Sequence, residues 1–197
     1  MSAGTDHGYG VEPGTPVVRR ITSPKDAALE QATAAGLQVL TGRYSVHKYD
    51  GFVAPENLTE IVECPPNLFL TAGVTRLWQL VTGVSAAHLA DASSVWLAVG
   101  DSATAPTATD ANLLGTNRFR KAVSGAPVIS GRQVTFSSQF ETGDANFAWL
   151  EVGVAWTGTV TDANTLVSRS AITTPGLGTK VNTAVWVLNW TLSIATP

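Results

Sequence analysis

The sequence predicts a mainly β protein: an antiparallel β-sandwich or barrel-like domain with one packed helix, built partly from two related β units, plus an extended N-terminal arm. Three observations carry this. Charged residues make up 14% of the 197 residues and hydrophobic ones 44%, a balance that suits close-packed strands better than the Glu/Lys-rich surface of a helical protein. From Tyr44 onward apolar residues recur largely with a period of two, as in strands with one buried face. From residue 94 the chain also repeats itself. VWLAVG at 95–100 returns as AWLEVG at 148–153, and TDANLL at 109–114 returns as TDANTL at 161–166, at offsets of 53 and 52 residues. Two matched blocks in one order imply two related β units. The length fits one domain, and composition divides it into an arm at 1–22, a short helix and connector at 23–43, and a β domain at 44–197 with a helix near 71–82.

In the arm, Gly4, Gly8, Gly10, Pro13, Gly14 and Pro16 interrupt any helix or ladder, so the segment cannot bury itself in its own domain. Val17, Val18 and Ile21 form a small apolar anchor around Arg19 and Arg20. These five are the expected partner-binding residues, and the expected surface is a neighbouring subunit, with a disordered tail as the alternative. SPKDAALEQATAAG follows as a short helix with Ser23 as N-cap, Pro24 at its first position and Gly36 as its stop. YSVHKYDGFV and LTEIVEC read as two strands with Asp50-Gly51 as a turn between them, and Pro65-Pro66 closes that segment. In NLFLTAGVTRLWQLVTG, Thr71 caps a helix whose stripe of Val74, Leu77, Trp78 and Val81 is expected to lie against a sheet, with Gly83 after the last turn.

Each β unit then has an apolar strand, a Thr/Ala/Gly/Pro loop, a TDAN turn, a strand carrying arginine, and a last strand. VTFSSQF and AWLEVGVAW both alternate, so the polar ETGDAN between them reads as a hairpin loop holding Glu141 and Asp144. Glu151 falls on the face opposite Leu150 and reads as a paired or solvated surface carboxylate. A glycosidase needs two carboxyls held across a sugar cleft, which a tight hairpin does not offer. In the final strand Trp186, Leu188, Trp190, Leu192 and Ile194 share one face; with Leu97 and Leu150, the first three of these are the expected core.

Other function classes are excluded by what they require. A net charge of -3 leaves no excess of Lys or Arg to neutralise phosphates, so nucleic acid is not an expected partner. NRFRKAV, with Arg118, Arg120 and Lys121, reads as a solvated or interface strand face. No run approaches the ~18 apolar residues of a membrane span, and the first twenty residues lack the pattern of a signal peptide. The single cysteine, Cys64, rules out an intrachain disulfide and a Cys-rich metal site. The histidines, His7, His47 and His88, have no metal-ligand spacing, and the Asp and Asn of TDAN read as turn caps; no cofactor is expected. VWLAVGDS resembles the nucleophile block of the GDSL hydrolases, but all three histidines precede Ser102 where that family places its base late in the chain. No catalytic residue is expected.

The blocks NLFLTAGVTRLWQLV, VWLAVGDSATAPTATDANLLGTNRFRKAV, VISGRQVTFSSQFETGDANFAWLEVGV and GLGTKVNTAVWVLNWTLSI resemble a group of tailed-bacteriophage structural proteins of the head-decoration or auxiliary-capsid type. The resemblance covers roughly residues 44–197. Its most specific parts are AVGDS.TAP..TD..L, F.....AN.AW.E and LGTK before the last strand. It implies a non-enzymatic protein on the virion capsid surface, assembled in the host cytoplasm, with the major capsid protein as partner and a homo-oligomer, a trimer, as its form. A tail-fibre or tail-tip component uses a similar vocabulary. Outside phage biology, a carbohydrate-binding β-sandwich would need at least two coplanar, solvent-facing tryptophans.

Overall fold

The computed structural model describes residues 15–84, 94–173 and 175–195. Most of the expected arm, residues 1–14, lies outside them, as do His7 and His88. Eleven described strands form two sheets. The larger contains β1 (Val17–Arg20), β2 (Val39–Asp50), β3 (Leu58–Pro66), β7 (Val128–Ser130), β8 (Gln133–Phe140) and β11 (Ala184–Ala195), in the order β1-β3-β2-β11-β8-β7. The smaller contains β4 (Leu68–Phe69), β5 (Trp96–Gly100), β6 (Arg118–Ala122), β9 (Glu151–Ala155) and β10 (Leu166–Ala171), in the order β4-β10-β9-β5-β6. All pairings are antiparallel except β1 on β3. The expected mainly β sandwich is what the chain forms.

The two sheets bury one core between them, because the alternation in β2, β8 and β11 turns every second side chain inward. Tyr44, Val46, Phe136, Phe140, Trp186, Leu188 and Trp190 face Leu97, Val99, Val152 and Val154. Trp149 packs edge-on against both Phe140 and Trp186, with ring centroids 4.8 Å apart in each case, and Phe136 stacks on Trp190 at 5.4 Å. One buried hydrogen bond joins the layers, Tyr44 Oη to Ser168 Oγ at 2.7 Å. Four of the five expected core residues are buried, but Leu150 is only half-buried. Its place in the core is taken by Trp149. Cys64 is the expected small buried side chain, and burial pushes its thiol up to about 12.

The internal repeat is visible as an approximate twofold relation. At the centre of the smaller sheet β5 pairs with β9 so that Val99 lies opposite Val152, its own repeat mate, and Ala98–Gly153 mirrors Gly100–Glu151. In the larger sheet β8 pairs with β11, and Ser137 lies opposite Asn189 at an offset matching that of the TDAN turns. Those turns meet as well. Asn164 N–H donates to Ala111 O at 2.7 Å, and Asn112 Nδ2 donates to Val160 O at 2.6 Å.

This arrangement overturns the expected hairpin. β8 and β9 belong to different sheets, so ETGDAN is the crossing between layers rather than a loop joining neighbours. Crossing breaks the alternation, and Trp149 and Val152 both end up inside.

Two further expectations need correction. α1 (Pro24–Ala34) and α2 (Thr71–Thr82) form over the expected residues, with the Asp26 carboxylate accepting the Ser23 N–H at 2.7 Å and Gly83 left-handed after α2 at φ 70°, but Thr71 is the first residue of α2 and Leu70, not Thr71, is its N-cap. α2 lies on β10, but not through its apolar stripe. Gly73 is its buried residue, seated on the backbone of Val167, while Val74, Trp78 and Val81 face outward. So close an approach leaves no room for large side chains on the buried face. Residues 17–21 are not an arm outside the β domain. Val17–Arg20 is the edge strand of the larger sheet, with Arg19 paired to Glu60 at 2.7 Å and Arg20 to Glu63 at 3.0 Å. Ile21 is buried and its N–H donates to Glu63 O. Backbone pairing to β3 offsets the ordering cost that the short apolar anchor alone could not.

Candidate functional site

Three charged residues far apart in sequence, Asp110, Glu151 and Arg169, converge on the outer face of the smaller sheet, beneath the loop 101–117 and α2. Glu151 lies there, fully buried. This corrects its reading as a surface carboxylate. Leu70, Ala98, Leu113, Ala155 and Leu166 form a second apolar cluster around it, so β9 is buried on both faces and its one carboxylate needs partners. It has them. Arg169 Nε donates to Glu151 Oε2 at 2.7 Å, and the backbone N–H groups of Leu114 and Gly115 donate to Oε1 at 3.0 and 2.6 Å. The rest of the Arg169 guanidinium donates to Asp110 Oδ2 and to Thr104 O, both at 2.9 Å.

Burial alone would raise the Asp110 carboxyl. The hydroxyl and N–H of Thr107, with Arg169, instead hold it below its usual value. Gly100 and Gly115 are needed at this point because a Cβ on Gly100 would press into the Glu151 carboxylate and one on Gly115 into Asp101.

The motif blocks meet in this network. Asp101 accepts from Asn117 and Asp110 binds Arg169; Leu114, from the same block, reaches Glu151 at the end of the AN.AW.E block. Lys180 of LGTK is buried, and its Nζ donates to Glu141 O at 2.6 Å and Asn146 Oδ1 at 3.1 Å. The most distinctive residues of the resemblance therefore close loops onto the sandwich. Arg120, expected on a solvated or interface face, is instead buried, donating to Asn112 Oδ1 at 2.8 Å and to the Thr157 and Thr165 hydroxyls at 3.0 Å. Lys121 pairs with Asp144 at 2.6 Å. Sequence reasoning placed an arginine on this strand but gave Arg169 no partner. The available signal was a lone Glu in AWLEVGVAW and a lone Arg in LVSRSA, charges in otherwise apolar or small-residue strands that had to find each other.

A cleft of about 510 Å³ opens between α2 and the TDAN turns, lined by Thr71, Thr75, Arg76, Asp110, Trp156 and Asn164 among others. The Arg76 guanidinium lies over the Trp156 ring at 5.7 Å. Asp110 at its edge is committed to Thr107 and Arg169, so it offers no free carboxylate for acid/base work. Ser102 Oγ accepts the Thr104 N–H at 3.2 Å, and His47 lies on β2 of the other sheet. Among the described residues no group of three His, Cys, Asp or Glu side chains could hold a metal ion, and no helix is long and apolar enough to cross a membrane.

The exposed surface is of a different character. Val17 and Val18 stand on one edge of the larger sheet and Val128 and Ile129 on the other; Leu40 and Ile194 project at the end where β2 begins. α2 adds Val74, Trp78 and Val81. No family model, curated protein or solved structure matches this chain.

Proposed function

We propose that this chain is a non-enzymatic structural protein of a tailed-bacteriophage virion, decorating or cementing the capsid surface as a homo-oligomer, a trimer, with the major capsid protein as its partner. One observation carries the reading: large apolar side chains stand exposed on both edges and one end of the larger sheet. Exposed apolar groups clustered on strand edges mark surfaces that other molecules cover. A lattice supplies such covers repeatedly, and several weak contacts then act together. The phage resemblance supports the same reading, since its motif residues serve loop closure rather than chemistry. The carbohydrate-binding alternative needs two exposed coplanar tryptophans. Trp149, Trp186 and Trp190 are buried, Trp96 and Trp156 half-buried, and Trp78 is the one exposed.

The test is cosedimentation of the purified protein with undecorated mature capsids and procapsids of the phage that encodes it. Saturable binding to one of them is the expected result; absence of binding to both removes the capsid reading and leaves the tail.

A further inference from the structure

The inner face of the larger sheet is longer than the layer that covers it. β2 and β11 run 12 residues each, whereas β5 and β9 run 5, so about 40 Å of strand faces about 17 Å. At the end where β2 begins, side chains in phase with the core emerge from beneath the smaller sheet. Leu40 lies opposite Ile194, Leu192 opposite Val134, and Val134 opposite Ile129. Together with Arg132 they line a groove of about 280 Å³. Ile129 is 77% exposed, and Arg132, the groove's one charged residue, makes no ion pair among the described residues.

The groove is bordered by an open strand edge. β7 turns into β8 through Gly131 and Arg132, with Gly131 at φ 54°. In a two-residue hairpin of this kind Ser130 and Gln133 form the hydrogen-bonded pair, so the N–H and C=O of Ile129 point away from the sheet.

We propose that this groove and the β7 edge receive residues 1–14 of a second copy of the chain. The inference rests on the reading of the protein as an assembling structural component. Charge is complementary: MSAGTDHGYGVEPG carries Asp6 and Glu12 and no Lys or Arg, against Arg132. Tyr9 and Val11 are two residues apart, the spacing at which a segment added to a sheet edge presents side chains to one face.

Position favours a second copy. β1 starts beside Glu60, which lies opposite Lys48 on β2, eight residues and about 26 Å of strand from Leu40. Fourteen residues reach at most about 50 Å, enough for the straight distance, but the smaller sheet covers the face in between. The chain's own segment would have to skirt the sandwich. A neighbour's has only to enter from the open end.

The experiment uses the full chain, a variant starting at Thr15, and a labelled peptide of residues 1–14. By sedimentation velocity the full chain is expected to self-associate and the Thr15 variant to be monomeric. By fluorescence anisotropy the peptide should bind the Thr15 variant. Ile129→Asp in that variant should weaken binding by about tenfold or more. Arg132→Glu should weaken it less, with a Glu12→Lys peptide restoring it. Because Ile129 and Arg132 are exposed, unchanged circular dichroism is expected for both variants. A peptide that fails to bind, or binds both variants as well as the parent, overturns the proposal; so does a monomeric full chain. Capsids are absent from these measurements, so their outcome is separable from that of the capsid-binding test.

Discussion

Glu151 and Arg169 show how much rests on single side chains. Both are fully buried, so removing one charge strands the other where water cannot reach it. Arg169→Met should cost about 3–5 kcal/mol in urea unfolding. Replacing both, with Glu151→Leu added, should recover only part of this. The N–H groups of Leu114 and Gly115 would lose their acceptor, a penalty of about 1–3 kcal/mol for a buried donor left unmade. A double variant as stable as the parent would mean that the loop finds other acceptors. Paired carboxyls here and at the larger sheet set an acid limit. Asp110, Asp26 and Glu60 are all held below their ordinary values, despite burial that would raise them, by hydrogen bonds and charges from Thr107 and Arg169, from Arg43 and Ser23, and from Lys48 and Arg19. Depressed carboxyls contribute stability that is complete at neutral pH and declines as pH falls below about 4, where the unfolded chain takes up protons first. Asp110→Asn should therefore lower stability at pH 7 and flatten its loss between about pH 4 and 2, measured as the unfolding midpoint against pH.

At the scale of elements, α2 depends on contact at a glycine. A Cβ on Gly73 would fall on the Val167 carbonyl, so Gly73→Ala should lift the helix from β10 and cost about 1–3 kcal/mol in thermal unfolding. Trp78→Ser, on the exposed face, should change stability little. Equal effects would mean that the helix is not seated as described. This helix also marks what could be read in advance. Its limits were legible from Thr71 and Gly83, but the side it buries was not, because a period of 3.6 locates a stripe without saying which face meets the sheet. The strands were legible where one face is wet, as in β11, whose Trp186, Leu188 and Trp190 lie inside as expected. They were misread at β9, since a strand covered on both faces does not alternate between apolar and polar. The pairing of VTFSSQF with AWLEVGVAW failed for a related reason. Local sequence specifies a turn, but a crossing between layers is fixed by long-range pairing, here of β8 with β11 and β9 with β5. The candidate site was hardest to see, because Asp110, Glu151 and Arg169 are far apart in sequence and meet only when β9, β10 and the 101–117 loop are assembled.

At the scale of the whole molecule, the N-terminal region divides at Thr15, and the two parts make different predictions. Residues 17–21 belong to the sandwich: Ile21 is buried, β1 completes the edge of the larger sheet, and Arg19 bridges to Glu60 and to Gly176 O at 3.1 Å. A variant starting at Ser23 loses the burial of Ile21, worth about 1.5–3 kcal/mol. The half-exposed ion pairs add at most about 1 kcal/mol each. For a chain of this size the loss of Ile21 burial alone corresponds to a fall of about 3–12 °C in the thermal midpoint of the isolated protein. A variant starting at Thr15 keeps every one of these contacts and should melt with the monomeric parent under dilute conditions. Measuring both truncations by differential scanning calorimetry at low protein concentration separates folding from assembly. A Ser23 variant that melts like the parent would mean that β1 contributes no stability within one chain and is held only by a neighbour; a Thr15 variant that melts far below the parent would mean that residues 1–14 support their own domain.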